Sequence, residues 1–233
     1  MRVRLDYGVD GLEVDLPHDR VTIIEPVFRP AVADPHAALT AALSAPLGRF
    51  PLRELVRPGQ TVAISVCDIT RAQPRREMLE ALFSQMPDIP AADITILIAT
   101  GTHRTNTPAE LEHMLGAEIA GRYRVLNHDS RDRASLEFVG RTTTGVPVHL
   151  NRAWMNADIR ITTGFVEPHF FAGFSGGPKM VAPGLAGLET VLVLHDALRI
   201  GHPKATWGSP RAIPSTTMSA RSPAWSASTS RWT

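Results

Sequence analysis

The sequence predicts an α/β fold: a mostly parallel sheet with helices on both faces, a Rossmann-like three-layer sandwich, behind a short N-terminal β-hairpin region. Three observations carry this. Short apolar runs at residues 61–66, 93–99, 123–127 and 158–163 alternate with helix-like stretches, the pattern of strands buried on both faces. The richest polar loops, residues 68–71, 101–104 and 167–179, each follow the carboxyl end of such a run, the edge where open α/β sheets bind ligands. Residues 2–24 alternate in period two around a Gly8-Val-Asp-Gly11 turn.

Taken in order, Val3/Leu5, Leu12/Val14/Leu16 and the run Val21 to Ile24 read as short strands. Asp34-Pro35 supplies an N-cap and a first helical position for a helix over 37–47. After Pro58-Gly59 comes the strand 61–66, ending in Cys67-Asp-Ile-Thr-Arg71, then a helix over 75–85. The strand 93–99 ends in Thr100-Gly-Thr-His-Arg104. Its helix opens on the capping box Thr107-Pro-Ala-Glu110 and runs to Leu115. Residues 123–127 are a third strand, 146–150 a candidate fourth and 158–163 a fifth, followed by a glycine loop and a helix over 188–198. No internal repeat is visible.

Composition narrows the function classes. With 43% hydrophobic and 20% charged residues, the chain has the composition of an ordinary globular protein. No apolar run approaches the ~20 residues needed to span a bilayer, and the N-terminus has no signal-peptide pattern, so the expected compartment is the cytoplasm. The single cysteine, Cys67, excludes an internal disulfide. No acid follows Asp196, whereas five cations do. Residues 1–196 therefore hold 19 cations (the 24 less those five) against all 23 acids, a net charge of −4. A nucleic-acid partner needs a basic folded body, which this is not.

From about Ser209 onward the style changes: no acids, no periodicity and two of the four tryptophans. The expected organisation is an α/β domain over 1–208 and an irregular tail over 209–233. A frameshift near residues 209–212 that truncated a longer protein would produce such a tail; a natural disordered tail is the alternative. Resequencing the gene separates the two.

The chemistry concentrates in residues 164–179, Gly-Phe-Val-Glu-Pro-His-Phe-Phe-Ala-Gly-Phe-Ser-Gly-Gly-Pro-Lys, which hold one imidazole, one amine, one carboxylate and four glycines. Glycine at this density lets backbone approach a ligand closely, and Ser175, Gly176 and Gly177 are the candidate cradle. His103 and His169, in separate loops, are candidate acid/base groups; the plainer reading of each is a hydrogen-bonded loop histidine. Lys179 is a candidate amine nucleophile, or else a solvated cation, and the spacing is not that of a Walker A loop. His195, on an apolar helix, reads as a core histidine unless a cofactor supplies further metal donors. Asp68 and Arg71 either shape their turn as a mutual salt bridge or turn the guanidinium onto a carboxylate or phosphate. Cys67 reads as strand packing.

These motifs together resemble the nickel-dependent lactate racemase family, in its N-terminal, cofactor-bearing domain. The resemblance rests on Cys67-Asp-Ile-Thr-Arg71, residues 99–108, Asn127-His-Asp129, residues 162–179 and the helix around His195, and covers most of residues 1–208. It implies a nickel-pincer nucleotide, a pyridinium ring with sulfur donors, bound covalently through Lys179, with His195 completing the nickel coordination. It further implies His103 and His169 as paired acid/base histidines, Arg71 orienting substrate and Asp68 lining the same pocket. The implied reaction is racemisation of a small 2-hydroxy acid: a histidine takes the hydroxyl proton, hydride leaves the α-carbon for the cofactor, and return to either face of the planar keto acid gives either enantiomer. The implied partners are the substrate and the proteins that make the cofactor, with no nucleic acid and no membrane. Lacking the family's second domain, the chain is expected to be weakly active or inactive. Two other readings stay open: a non-catalytic nucleotide- or phosphate-binding module, and an inert truncation product.

Overall fold

The structure, a computed structural model, describes residues 1–25, 27 and 29–209. Of the tail expected over 209–233, residues 210–233 lie outside the described residues. The chain divides into two compact units, the first Met1–Ala33 and the second beginning at Asp34.

The first unit is a hairpin. β1 (Arg2–Leu5) pairs antiparallel with β2 (Leu12–Asp15), in a register running from Arg2 opposite Asp15 to Leu5 opposite Leu12. Gly8 and Gly11 take the positive φ of 62° and 74° that the reversal requires. The run Val21 to Ile24 forms no strand, contrary to the sequence expectation. An apolar run becomes a strand only where a neighbour completes its ladder, and among the described residues none pairs with it.

The second unit carries the remaining elements: α1 (Pro35–Ser44), α2 (Leu52–Leu55), β3 (Val62–Cys67), α3 (Arg75–Ser84), β4 (Ile94–Ala99), α4 (Pro108–Leu115), α5 (Ala117–Arg122), β5 (Arg124–Asn127), β6 (Leu136–Arg141), β7 (Pro147–Asn151), α6 (Arg152–Met155), β8 (Ile159–Thr162), β9 (Pro168–His169), β10 (Gly173–Phe174), a 3₁₀ turn at Gly177–Met180, α7 (Leu188–Leu194) and α8 (Ala197–Ile200). The helix starts follow from their caps. Asp34 accepts from the Ala37 amide at 2.9 Å, and both halves of the Thr107/Glu110 capping box form. Each such cap contributes about 1 kcal/mol.

Four strands, in the order β5-β4-β3-β8, make one parallel sheet. Alternation along β3 divides the core. Val62, Ile64 and Val66 pack with Leu79, Leu82 and Leu115 under helices α1–α5. Ala63 and its neighbour Leu97 face the opposite way, onto Leu150, Trp154, Leu185 and Leu194. Both faces are thus closed, which is why the strands read as continuous apolar runs. A fully buried side chain such as Leu79 contributes about 2 kcal/mol of hydrophobic stabilisation.

Two expectations are corrected. The candidate fourth strand at 146–150 forms β7 but lies outside the parallel sheet: it pairs antiparallel with β6, and this hairpin, with short helices, covers the second face. A short turn between Thr142 and Gly145 joins the two strands, and so tight a connection forces an antiparallel pair. The helix expected over 188–198 breaks after Leu194. Asp196 caps a new helix by accepting from the Arg199 amide at 2.8 Å, so His195 stands at the break and not within a continuous helix.

Candidate functional site

The loops at the carboxyl ends of the strands are held by buried polar side chains. The guanidinium of Arg75, at 7% exposure, donates to the carbonyls of Cys67 (2.7 Å), Arg71 (2.7 Å) and Asp68, folding the 68–71 loop around itself. Gln73 accepts from the Cys67 amide at 2.7 Å and donates to Thr163 Oγ1 at 2.8 Å, which ties this loop to the end of β8. Asn106 accepts from the Ile69 amide at 3.2 Å and is itself gripped by Asn127. Gly101 N–H donates to the Gly184 carbonyl at 2.9 Å, joining the loop after β4 to the segment after the 3₁₀ turn.

The glycine loop depends on close approach. A Cβ on Gly164 would lie 2.9 Å from the Cα of Gly176, and Gly176 itself holds φ +71°. The loop can therefore fold back on the end of β8 only with glycine at these positions.

Between these loops lies a cavity of about 320 Å³. Asp68, Arg71 and His103 line it from the loops after β3 and β4; His169, Ser175, Gly176 and Lys179 line it from the glycine loop; His195 closes it. Of the nine residues singled out in the sequence, only Gly177 is absent from the wall: it opens the 3₁₀ turn with φ +48°.

Asp68 and Arg71 do not pair with each other. Asp68 Oδ2 lies 2.7 Å from His103 Nδ1, and Oδ1 accepts from Thr70 Oγ1 at 2.6 Å. Arg71 Nε instead approaches Glu167 Oε1 at 3.8 Å, a loose pair, and Nη1 donates to Thr70 Oγ1 at 3.1 Å. His169 Nδ1 accepts from the amides of Ala172 (3.2 Å) and Phe171 (3.4 Å). Burial first, then the charges of Lys179 and Arg71, push its pKa down to about 4. It is neutral at physiological pH.

Lys179 is not a solvated cation. Burial, reinforced by Arg71, lowers its amine to about 8. A sizeable unprotonated fraction near neutrality is what a nucleophilic lysine needs. The thiol of Cys67 is pushed up by burial and packs on Met180 Sδ at 3.5 Å, in line with its expected packing role. His128 is likewise structural, its Nε2–H donating to the Ala186 carbonyl at 2.9 Å.

His195 donates Nδ1–H to the Val191 carbonyl at 2.8 Å. That bond fixes the tautomer and turns Nε2 into a lone-pair donor, the arrangement common to metal-binding histidines. Among the described residues no group of three or more His, Cys, Asp and Glu side chains can hold a metal. A metal beside His195 would therefore need donors from outside the described residues. The residues fit a group attached at Lys179 that brings such donors with it.

Sequence reasoning assigned no role to the scaffold residues Gln73, Arg75, Asn106 and Asn127, the last two inside quoted motifs, and none to Glu167 or Phe171. Phe171, 7% exposed, is the hub of the wall: it packs edge-on against His169 (4.7 Å) and His195 (5.3 Å) and lies under the Lys179 amine. The available signal was a pair of polar residues, Gln73 and Arg75, directly after a site loop.

The lactate racemase N-terminal domain family model matches residues 7–208. The chain belongs to this family. Similar proteins include the lactate racemase of Thermoanaerobacterium thermosaccharolyticum, 32% identical over 213 residues, covering 88% of this chain and 49% of that protein. The lactate racemase of Lactiplantibacillus plantarum is 34% identical over 211 residues, covering 84% and 50%. The chain thus spans about half the length of the curated relatives it matches. Its fold is similar to the T. thermosaccharolyticum lactate racemase apoprotein structure, with a TM-score of 0.76 at 31% identity, covering 93% of this chain and 51% of that one. A Thermotoga maritima protein gives a TM-score of 0.65 at 25% identity, covering 78% and 46%. No helix among the described residues is long and apolar enough to cross a membrane.

Proposed function

We propose that this chain is the cofactor-bearing half of a 2-hydroxy-acid racemase acting on lactate or a close analogue. The observation that carries the reading is the convergence of Lys179, with its amine lowered to about 8, and the lone-pair nitrogen of His195 on one cavity that also holds His103, His169 and Arg71.

Lys179 is the attachment point for a nickel-pincer nucleotide, and His195 Nε2 supplies the protein ligand to its metal. Ser175 and Gly176 line the approach for the nucleotide's polar groups. When bound, this group would supply a reversible hydride acceptor beside the substrate's α-carbon. The remaining roles belong to the chain. Arg71, paired loosely with Glu167 and steadied by Thr70, donates to the substrate carboxylate. His103 and His169 are the groups set to exchange a proton or a hydrogen bond with the substrate hydroxyl. Phe171 screens the inner wall from water. The His103 side chain is 51% exposed, so water reaches this side of the cavity and the 233 residues by themselves racemise weakly.

The deciding experiment is co-expression with the cofactor-making proteins, followed by intact mass and peptide mapping. An adduct on Lys179, with nickel co-purifying and lost in His195→Ala, is the expected result. An unmodified chain without nickel would refute the reading.

A further inference from the structure

A neutral imidazole carries one proton on two nitrogens, and its neighbours decide which one. At His103 the neighbour of Nδ1 is Asp68 Oδ2, at 2.7 Å. A carboxylate only accepts, so Nδ1 holds the proton and Nε2 is a lone pair. At His169 the neighbours of Nδ1 are the backbone N–H groups of Ala172 and Phe171, at 3.2 and 3.4 Å. Amides only donate, so here Nδ1 is the lone pair and Nε2 holds the proton. Two histidines lining the same cavity thus offer it opposite chemistry, an acceptor from His103 and a donor from His169.

We propose that these histidines are not interchangeable: His103 takes and returns the hydroxyl proton, Asp68 is the positioning residue that holds its tautomer, and His169 is a fixed hydrogen-bond donor to the substrate oxygen. The proposal rests on the 2-hydroxy-acid reading above, while the tautomers themselves do not. In the forward step the proton passes from the substrate O–H to Nε2 of His103 and the O–H electron pair stays on oxygen. The imidazolium so formed is neutralised by Asp68, whose side chain is 6% exposed. On return, Nε2–H gives the same proton back. His169 is barred from this exchange. Accepting a proton at Nε2 would require moving its own to Nδ1 and breaking both amide bonds, and losing one would leave an imidazolate.

The test is a long-range ¹H–¹⁵N correlation spectrum of the histidine rings in the labelled full chain near neutral pH, without cofactor. Signals are assigned by their disappearance in His103→Asn and His169→Asn. The expected spectrum has Nε2 of His103 and Nδ1 of His169 in the unprotonated range, and their ring partners in the protonated range. Asp68→Ala should turn His103 into a mixture of tautomers and leave His169 unchanged, and Asp68→Glu should restore a single His103 species. The same tautomer at both rings in the wild-type chain would overturn the proposal, whether or not the variants fold. So would a His103 ring unaltered in folded Asp68→Ala. Failure of the underlying reading is seen separately, as the absence of an adduct on Lys179; it would remove the proton-handling role and leave the tautomer assignment standing.

Discussion

The Lys179 amine lies 5.8 Å from the ring centroid of Phe171. Such a contact favours the ammonium by ~1 kcal/mol. Burial opposes it and wins, because a shift from 10.5 to about 8 corresponds to roughly 3 kcal/mol in the other direction. The lysine is thus surrounded by apolar surface and still able to lose its proton near neutrality.

Its reactivity should therefore titrate early. With an amine-selective acylating reagent and peptide mapping, modification of Lys179 should be half-maximal near pH 8, well below the profile of a free lysine derivative treated in parallel. A Lys179 profile matching that of the free derivative would mean that the pocket does not desolvate the amine.

Replacing Phe171 with alanine removes the hub beneath His169, Lys179 and His195. A loss of about 3 kcal/mol is expected from the cavity alone, read as a lower urea midpoint. Water admitted beside the amine should also return the Lys179 profile toward higher pH. Phe171→Leu should lose less in both measurements.

Gly164→Ala sets a methyl group 2.9 Å from the Gly176 backbone. Backbone cannot swing aside as a side chain does, so a cost of about 2 kcal/mol is expected. Thermal unfolding measures the loss. Hydrogen exchange should rise through residues 165–177 and remain unchanged in β4.

Arg75→Met leaves the carbonyls of Cys67, Asp68 and Arg71 without their shared donor. A cost of about 3 kcal/mol is expected, since several buried acceptors lose a charged partner at once. The local sign is faster amide exchange at residues 68–71 even under conditions where the sheet stays protected.

His169 gives the fold an acid sensitivity. Its folded pKa of about 4 lies below the unfolded value near 6.5, so between those limits the unfolded chain binds more protons. Stability should therefore fall as pH drops from about 6.5 toward 4, with no further contribution from this residue below that. His169→Asn should flatten that part of the curve in denaturant titrations across the range.

The sequence by itself determined the parallel sheet and most of its helices, because strands buried on both faces leave unbroken apolar runs and the Asp34 and Thr107/Glu110 caps are local chemistry. It also marked the three loops that meet at one cavity, since polar residues at strand ends have few other reasons to cluster. Tertiary structure decided what local pattern cannot carry. Which strand pairs with which moved residues 146–150 out of the sheet and left 21–24 unpaired. Which partner each charge chooses joined Asp68 to His103 and Arg71 to Glu167, contacts made across loops distant in sequence. Burial of Lys179 and His169, and with it their protonation, exists only once the glycine loop has closed over β8, because desolvation is a property of the packed neighbourhood and not of the residue.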